Sequence, residues 1–335
     1  MMSKSTKLTG VILVFASAAL LFSSCATKPV WISDYTEAQA LAQKGGKKIF
    51  LLFTADNPDD AEALEVRKNV FDSPELTKAI KKTYVSVNID FSEARYTAAE
   101  ASGDADEKQT ASAAEAARLL ERDNGVAQKY SVEAVPVIYL LTNDGYVLGV
   151  IDVDPEVKTA AALLALLDAQ AEQADKIAAL IALVGTAEGD DKVRAIGDLF
   201  DATDQRYRAL LLDHMRTALA LDNDNSTGVI GKFVFISAYY DAIDSLTAGD
   251  LPGGLEKLRT AAANPALAPP EKQEALYWIA NFAAQTGLGT RDEVLDYLQQ
   301  AFDAAPDSEA APYILQVIDQ VKAMPAPEDS GGSPG

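Results

Sequence analysis

Apolar residues follow two rhythms along this chain. Between residues 31 and 154 short apolar runs alternate with stretches of helical spacing; from residue 156 to about 323 only the helical spacing continues. Residues 35–44, rich in Ala, Leu and Gln, read as a helix stopped by Gly45-Gly46. Residues 48–54 hold Ile49, Phe50, Leu51, Leu52 and Phe53 without a break, which predicts a strand buried on both faces. A polar turn, Asp56-Asn57-Pro58-Asp59-Asp60, leads into a helix over about 60–70. Ser73-Pro74-Glu75 opens another, with Ser as N-cap and Pro at the first helical position. Further strands are expected at 84–91, 137–142 and 146–151, the last two joined by the turn Asn143-Asp144-Gly145, with a helix at 113–129. Residues 92–112, full of Ala, Glu, Asp and Ser, read as an exposed, mobile insertion.

The order of these elements carries a resemblance. Tyr130-Ser131-Val132-Glu133-Ala134-Val135-Pro136-Val137-Ile138 resembles the cis-proline segment of thioredoxin-like domains, placing the cis-proline at Pro136. Upstream, Gly46-Lys47-Lys48 and the apolar run after it resemble the strand that precedes the active site of that family. Asn69-Val70-Phe71-Asp72-Ser73-Pro74-Glu75 and Val85-Ser86-Val87-Asn88-Ile89-Asp90 resemble the stretch and the strand that follow it. The resemblance implies an α/β thioredoxin-like domain over residues 31–170. It also shows a departure. Counting back from Leu64, the Cys-x-x-Cys motif of active members falls on Pro58, Asp59, Asp60 and Ala61, and neither sulfur is there. Those positions are expected to be a vestigial active site with no catalytic residue. Carboxylates at a helix start commonly cap free N–H groups; a cation site made by Asp56, Asp59 and Asp60 is the other use. Pro136 either presents a loop that pairs with an extended peptide or only fixes the turn.

In the second half three segments share a pattern of a bulky residue, two spacers, Ala and a polar or Pro stop: Met215 with Ala218, Leu258 with Ala261, and Leu298 with Ala301. They resemble second helices of tetratricopeptide repeats, with Gly249-Asp250-Leu251 and Gly287-Leu288 where inter-helix turns belong and Trp278-Ile279-Ala280 as part of a first helix. An all-α repeat-like domain is therefore expected over 171–323, followed by a disordered tail, 324–335. The loop beginning at Asp222 fails as an EF-hand, since its sixth and twelfth positions are Thr227 and Phe233.

The N-terminus adds a location. Lys4 and Lys7 precede an apolar run over 11–22, then Ser23, Ser24 and Cys25, the order of a secretory signal. The ending is similar to the lipobox of bacterial lipoproteins, with Phe22 in place of the usual Leu; a plain signal peptide or N-terminal anchor is the alternative, though the run is short of the roughly 20 residues of a span. The resemblance implies a signal peptide over 1–24, a lipidated Cys25 and a tether over 25–30. The protein then belongs to a bacterial cell envelope, and Ala26 after Cys25 favours the outer membrane facing the periplasm.

Cys25 is the single cysteine and His214 the single histidine of 335 residues. Thiol nucleophiles, internal disulfides and cysteine-held metals are thereby excluded from the folded part. His214, in a helical stretch, is expected to be a surface or packing residue. A net charge of −21 argues against nucleic-acid partners and against electrostatic attachment to anionic lipid, leaving the lipid as the membrane contact. No metal or other cofactor is expected, and no enzymatic activity. The leading expectation is an adaptor for a protein or peptide partner; the rivals are an accessory of a thiol–disulfide oxidoreductase system and a structural envelope lipoprotein.

Overall fold

The computed structural model describes residues 31–57, 59–100 and 107–324. The expected signal peptide, Cys25, the tether up to residue 30, Pro58 and the tail from residue 325 lie outside the described residues.

Asp34 caps the first helix, α1 (Tyr35–Gly45), accepting from the amides of Thr36 and Glu37, and left-handed Gly46 closes its other end. The apolar run becomes β1 (Lys48–Thr54), buried from Ile49 onward. It pairs in parallel with β2 (Tyr84–Asp90) and antiparallel with β3 (Val137–Leu141), and β4 (Val147–Asp152) lies beyond β3, so the order is β2–β1–β3–β4. Alternation along the strands sends Phe50, Leu52, Ile138 and Leu140 to one face and Ile49, Leu51, Phe53, Tyr139 and Leu141 to the other. Helices α2 (Ala61–Val66) and α3 (Pro74–Ile80) follow β1. On the first face lie α3 and the 27-residue α6 (Ala160–Thr186). On the second lie α1 and the end of α5 (Glu107–Lys129).

Two stretches differ from their sequence reading. The helix expected over 60–70 stops at Val66 and continues as a π-turn, Arg67–Phe71. The wider turn inserts an extra residue, and adjacent Val70 and Phe71 are both buried. The expected mobile insertion at 92–112 is instead largely helical: α4 (Glu93–Ala99) packs against α5, which begins at Glu107, while residues 101–106 lie outside the described residues. The anchors are polar, which is why low hydrophobicity misled. Ser92 is buried and hydrogen-bonded to Asp90, and Arg95 donates to the Asp90 carbonyl and to Asp123, whose side chain is 1% exposed.

Beyond α6 the chain is helical: α7 (Gly189–Ala202), a 3-10 segment (Gln205–Leu211), α8 (Leu212–Leu221), α9 (Gly231–Thr247), α10 (Leu251–Ala262), α11 (Pro269–Thr286), α12 (Arg291–Ala304) and α13 (Ala311–Ala323). The bulky–Ala pairs at 215/218, 258/261 and 298/301 fall on α8, α10 and α12, and all six residues are buried. Gly249 and Gly287, both at positive φ, sit in the turns before α10 and after α11. The Asp222 loop joins α8 to α9, and its carboxylate accepts from Ser226 and Thr227.

Helix α6 runs through residue 170 without a break. One hydrophobic core includes Phe50, Leu52 and Ile138 from the sheet, Leu163 and Ile177 from α6, Ile196 and Phe200 from α7, Met215 from α8 and Phe233 from α9. A second core joins α9 to α13 through Phe235, Leu258, Ile279, Leu298 and Ile318.

His214 adds a further contact between helices and sheet. Its ring stacks on Tyr146 beside the β3–β4 turn, at 5.3 Å and 26°, and its buried Nε2 has no hydrogen-bond partner among the described residues. Burial holds the imidazole below its usual pKa, with Asp213 opposing and Lys192 reinforcing. Between the lowered value and about 6.5 the unfolded chain binds more protons than the folded one. Stability from this group is therefore full above pH 6.5 and lost as pH falls through that window. Thermal melts of the wild type and His214→Phe should show the wild-type midpoint falling relative to the variant between pH 7 and pH 5; parallel curves would contradict the assignment.

Candidate binding site

The C-terminal end of β1 and the segment before β3 meet at a cleft of about 320 Å³, with Asp56, Ala63, Val66, Phe71, Pro136 and Val153 among its walls. Asp60 is the N-cap of α2; one carboxylate oxygen accepts from the Glu62 amide at 2.9 Å and the Ala63 amide at 3.1 Å. Ala61 is the first residue of that helix. Asp59 donates its own amide to the Asn57 side chain at 3.0 Å. The helix N-terminus, the place that would stabilise a thiolate, is thus occupied by a carboxylate from the chain itself.

Asp56 is tied elsewhere. Its carboxylate meets Arg67 at 3.0 Å, and its amide donates to Asp90 at 2.9 Å. Arg67 also bonds Asp72 and lies over the Trp31 ring, whose Nε1 donates to Asp72. Burial raises the Asp56 pKa; Arg67 opposes this, and Asp90 and Asp72 add to it. The carboxylates of Asp56 and Asp60 therefore have separate partners, and Asp59 is held through its amide. Among the described residues no group of three His, Cys, Asp or Glu side chains is placed to hold a metal ion.

The Val135–Pro136 peptide bond is cis. Val135 is half-exposed, and its backbone N–H and C=O make no hydrogen bond among the described residues. The cleft offers a carboxylate and a patch of apolar wall, and the open backbone of Val135 directly precedes its Pro136, a set suited to holding an extended chain. Sequence reasoning located positions 58–61 and 136 but not the Trp31–Arg67–Asp72 cluster or Asp90. Asp72 and Asp90 lie in stretches that carry the family resemblance, but nothing in the sequence joins them to Trp31 and Arg67.

The sheet and its helices define the class: an α/β thioredoxin-like domain followed by a helix-rich C-terminal region. Residues 35–170 match the family model described as a thioredoxin-like domain, and residues 229–327 match one described as an uncharacterised protein C-terminal domain. With one cysteine in the chain, no Cys-x-x-Cys motif is present. An uncharacterised protein of Treponema pallidum (strain Nichols) is 24% identical over 304 residues, covering 90% of this chain and 92% of that protein. A solved structure titled DsbH oxidoreductase is a looser likeness: 16% identity over 50% of this chain and 94% of its own, with a TM-score of 0.32. Among the described residues no helix is long and apolar enough to cross a membrane.

Proposed function

We propose that this protein is an envelope lipoprotein, anchored through Cys25 and facing the periplasm, whose thioredoxin-like domain binds a protein or peptide instead of exchanging disulfides. The observation that carries the reading is the occupied helix start: Asp60 takes the amides of α2, and no sulfur stands at Asp59, Asp60 or Ala61. A partner chain would lie along the cleft beside Pro136 and pair with the open backbone of Val135. The helical region supports a repeat-like array that adds a second face. There Tyr240, Tyr239, Trp278, Tyr277 and Tyr313 form a run of ring contacts across α9, α11 and α13. An accessory role in a thiol–disulfide system would need every sulfur to come from the partner.

In-cell photocrosslinking with probes at Asn57 and at Tyr240 tests the reading. A discrete protein adduct at either site, from a chain that does not reduce insulin disulfides, is the expected result. No adduct at either, with the protein retained in the membrane fraction, would overturn it.

A further inference from the structure

Among the described residues strand β4 is an outer strand, paired only with β3. The amide of Val153 donates to the Pro136 carbonyl at 3.1 Å. By antiparallel alternation, Ile151 and Gly149 direct their backbone groups to β3, while Val150 and Asp152 direct theirs outward. On the outer side runs a strap, residues 201–208. It leaves the end of α7 on one face of the sheet and lays Tyr207 against Tyr139 on the other, with the rings 6.0 Å apart at 87°. The strap covers the edge without pairing with it: among the described residues no backbone hydrogen bond joins the two.

Between strand and strap lies a cavity of about 880 Å³. It touches the consecutive residues Val147, Leu148, Gly149 and Val150, where a bulge at Leu148 interrupts the alternation: Leu148 packs into the core on the α6 face, Val147 and Val150 into the other. Gln170, Gln173 and Ile177 of α6 also wall it, so the space runs along the edge and reaches onto the face that α6 covers. The opposite wall carries Arg206 and Arg208. Arg206 is satisfied by Asp204. Arg208 is not. Its guanidinium lies 4.3 Å from the Phe200 ring centre and its Nε donates to the Thr203 carbonyl at 3.2 Å, but neither Nη nitrogen makes a hydrogen bond and no carboxylate lies within ion-pair distance among the described residues. The same wall carries Asp201 and Asp204, and Asp204 feels the Arg208 charge without pairing with it, so the guanidinium is positioned while its Nη groups stay unfilled.

We propose that this slot takes an extended peptide segment as a fifth strand on β4, with an acidic side chain of the segment on Arg208. The outward groups of Val150 and Asp152 supply the ladder, and a planar guanidinium already held by a ring and a carbonyl matches a carboxylate with two parallel bonds. The slot lies towards the opposite end of β4 from the cleft beside Pro136, and the proposal stands whether or not that cleft binds a chain.

The test selects displayed random decapeptides, fused at their C-termini, on the full chain in detergent. Winners are then measured as amidated synthetic peptides by fluorescence anisotropy. Winners should carry Asp or Glu between alternating apolar residues, and Arg208→Gln should weaken binding at least tenfold, with Arg208→Lys recovering part of it. Val150→Pro removes the outward N–H and leaves the bonds to β3 intact, so it should abolish binding. A photoprobe at Gln205 should label the peptide and one at Asn57 should not. If Val150→Pro fails to fold by circular dichroism, hydrogen exchange of the wild type decides: the Val150 and Asp152 amides should be protected by bound peptide. An empty selection, winners indifferent to Arg208→Gln, unprotected amides, or labelling from Asn57 alone would each overturn the proposal, as would binding only by peptides with a free C-terminus.

Discussion

A fragment of residues 31–170 is expected to lose cooperative folding, although it contains every strand of the sheet. The cut falls inside α6 and removes Ala174, Ile177 and Val184, all buried in the core that holds Phe50, Leu52, Ile138 and Leu140. It also removes Ile196, Phe200, Met215 and Phe233 from that core, and Tyr207 from Tyr139 on the other face. One face of the sheet would keep α3 and the stub of α6 but lose the helices behind them. Each fully buried side chain of this size contributes roughly 1.5–3 kcal/mol, and a domain has only about 5–15 kcal/mol in hand. Losing several such contacts at once exceeds that margin. Circular dichroism and urea titration of the fragment beside the full chain check this. A sharp two-state transition near the full-length midpoint would show that the thioredoxin-like unit stands alone.

Phe233→Ala should cost about 3–5 kcal/mol. The side chain is fully buried, and its ring meets Phe200 edge-on at 5.2 Å and 71°. Phe233 lies on α9, far along the chain from the sheet, yet shares its core, while its neighbours Val234 and Phe235 belong to the second core. The substitution should therefore destabilise both halves together. The two tryptophans make this measurable, because Trp31 stands against the sheet and Trp278 on α11. In single-tryptophan variants, both fluorescence transitions should move to lower denaturant by the same amount. A shift reported by Trp278 alone would mean that the halves unfold independently.

How much of this could be read from residues alone depended on how local the cause was. The run from Ile49 to Phe53 could be little else than a central strand, and Ser73-Pro74 opens a helix through its own hydroxyl and ring. The buried alanines at 218, 261 and 301 follow from their spacing to a bulky partner. Non-local or polar causes stayed hidden. Residues 93–99 look like a loop by composition and are held as a helix by Arg95 reaching Asp123, 28 positions away. The π-turn at Arg67 exists because Val70 and Phe71 both turn inward, which no helical periodicity announces. At the cleft, the missing sulfurs were plain from counting, whereas the Arg67 cluster and the open backbone of Val135 needed coordinates. The slot beside β4 had no sequence signal at all, since strand and strap lie 49 residues apart at their nearest ends.

The same strap governs how copies of the protein meet. An uncovered outer strand invites the outer strand of a neighbour, and folded molecules then fuse into shared sheets. Such fusion needs two whole domains to bring their strands within about 4.8 Å. Residues 201–208 stand in the way of a body that large, while the cavity of about 880 Å³ behind them is the space proposed above for a bare chain. The arrangement sorts visitors by bulk, admitting single extended segments and turning away other folded copies. It should therefore keep the protein monodisperse at concentrations where a bare edge would precipitate.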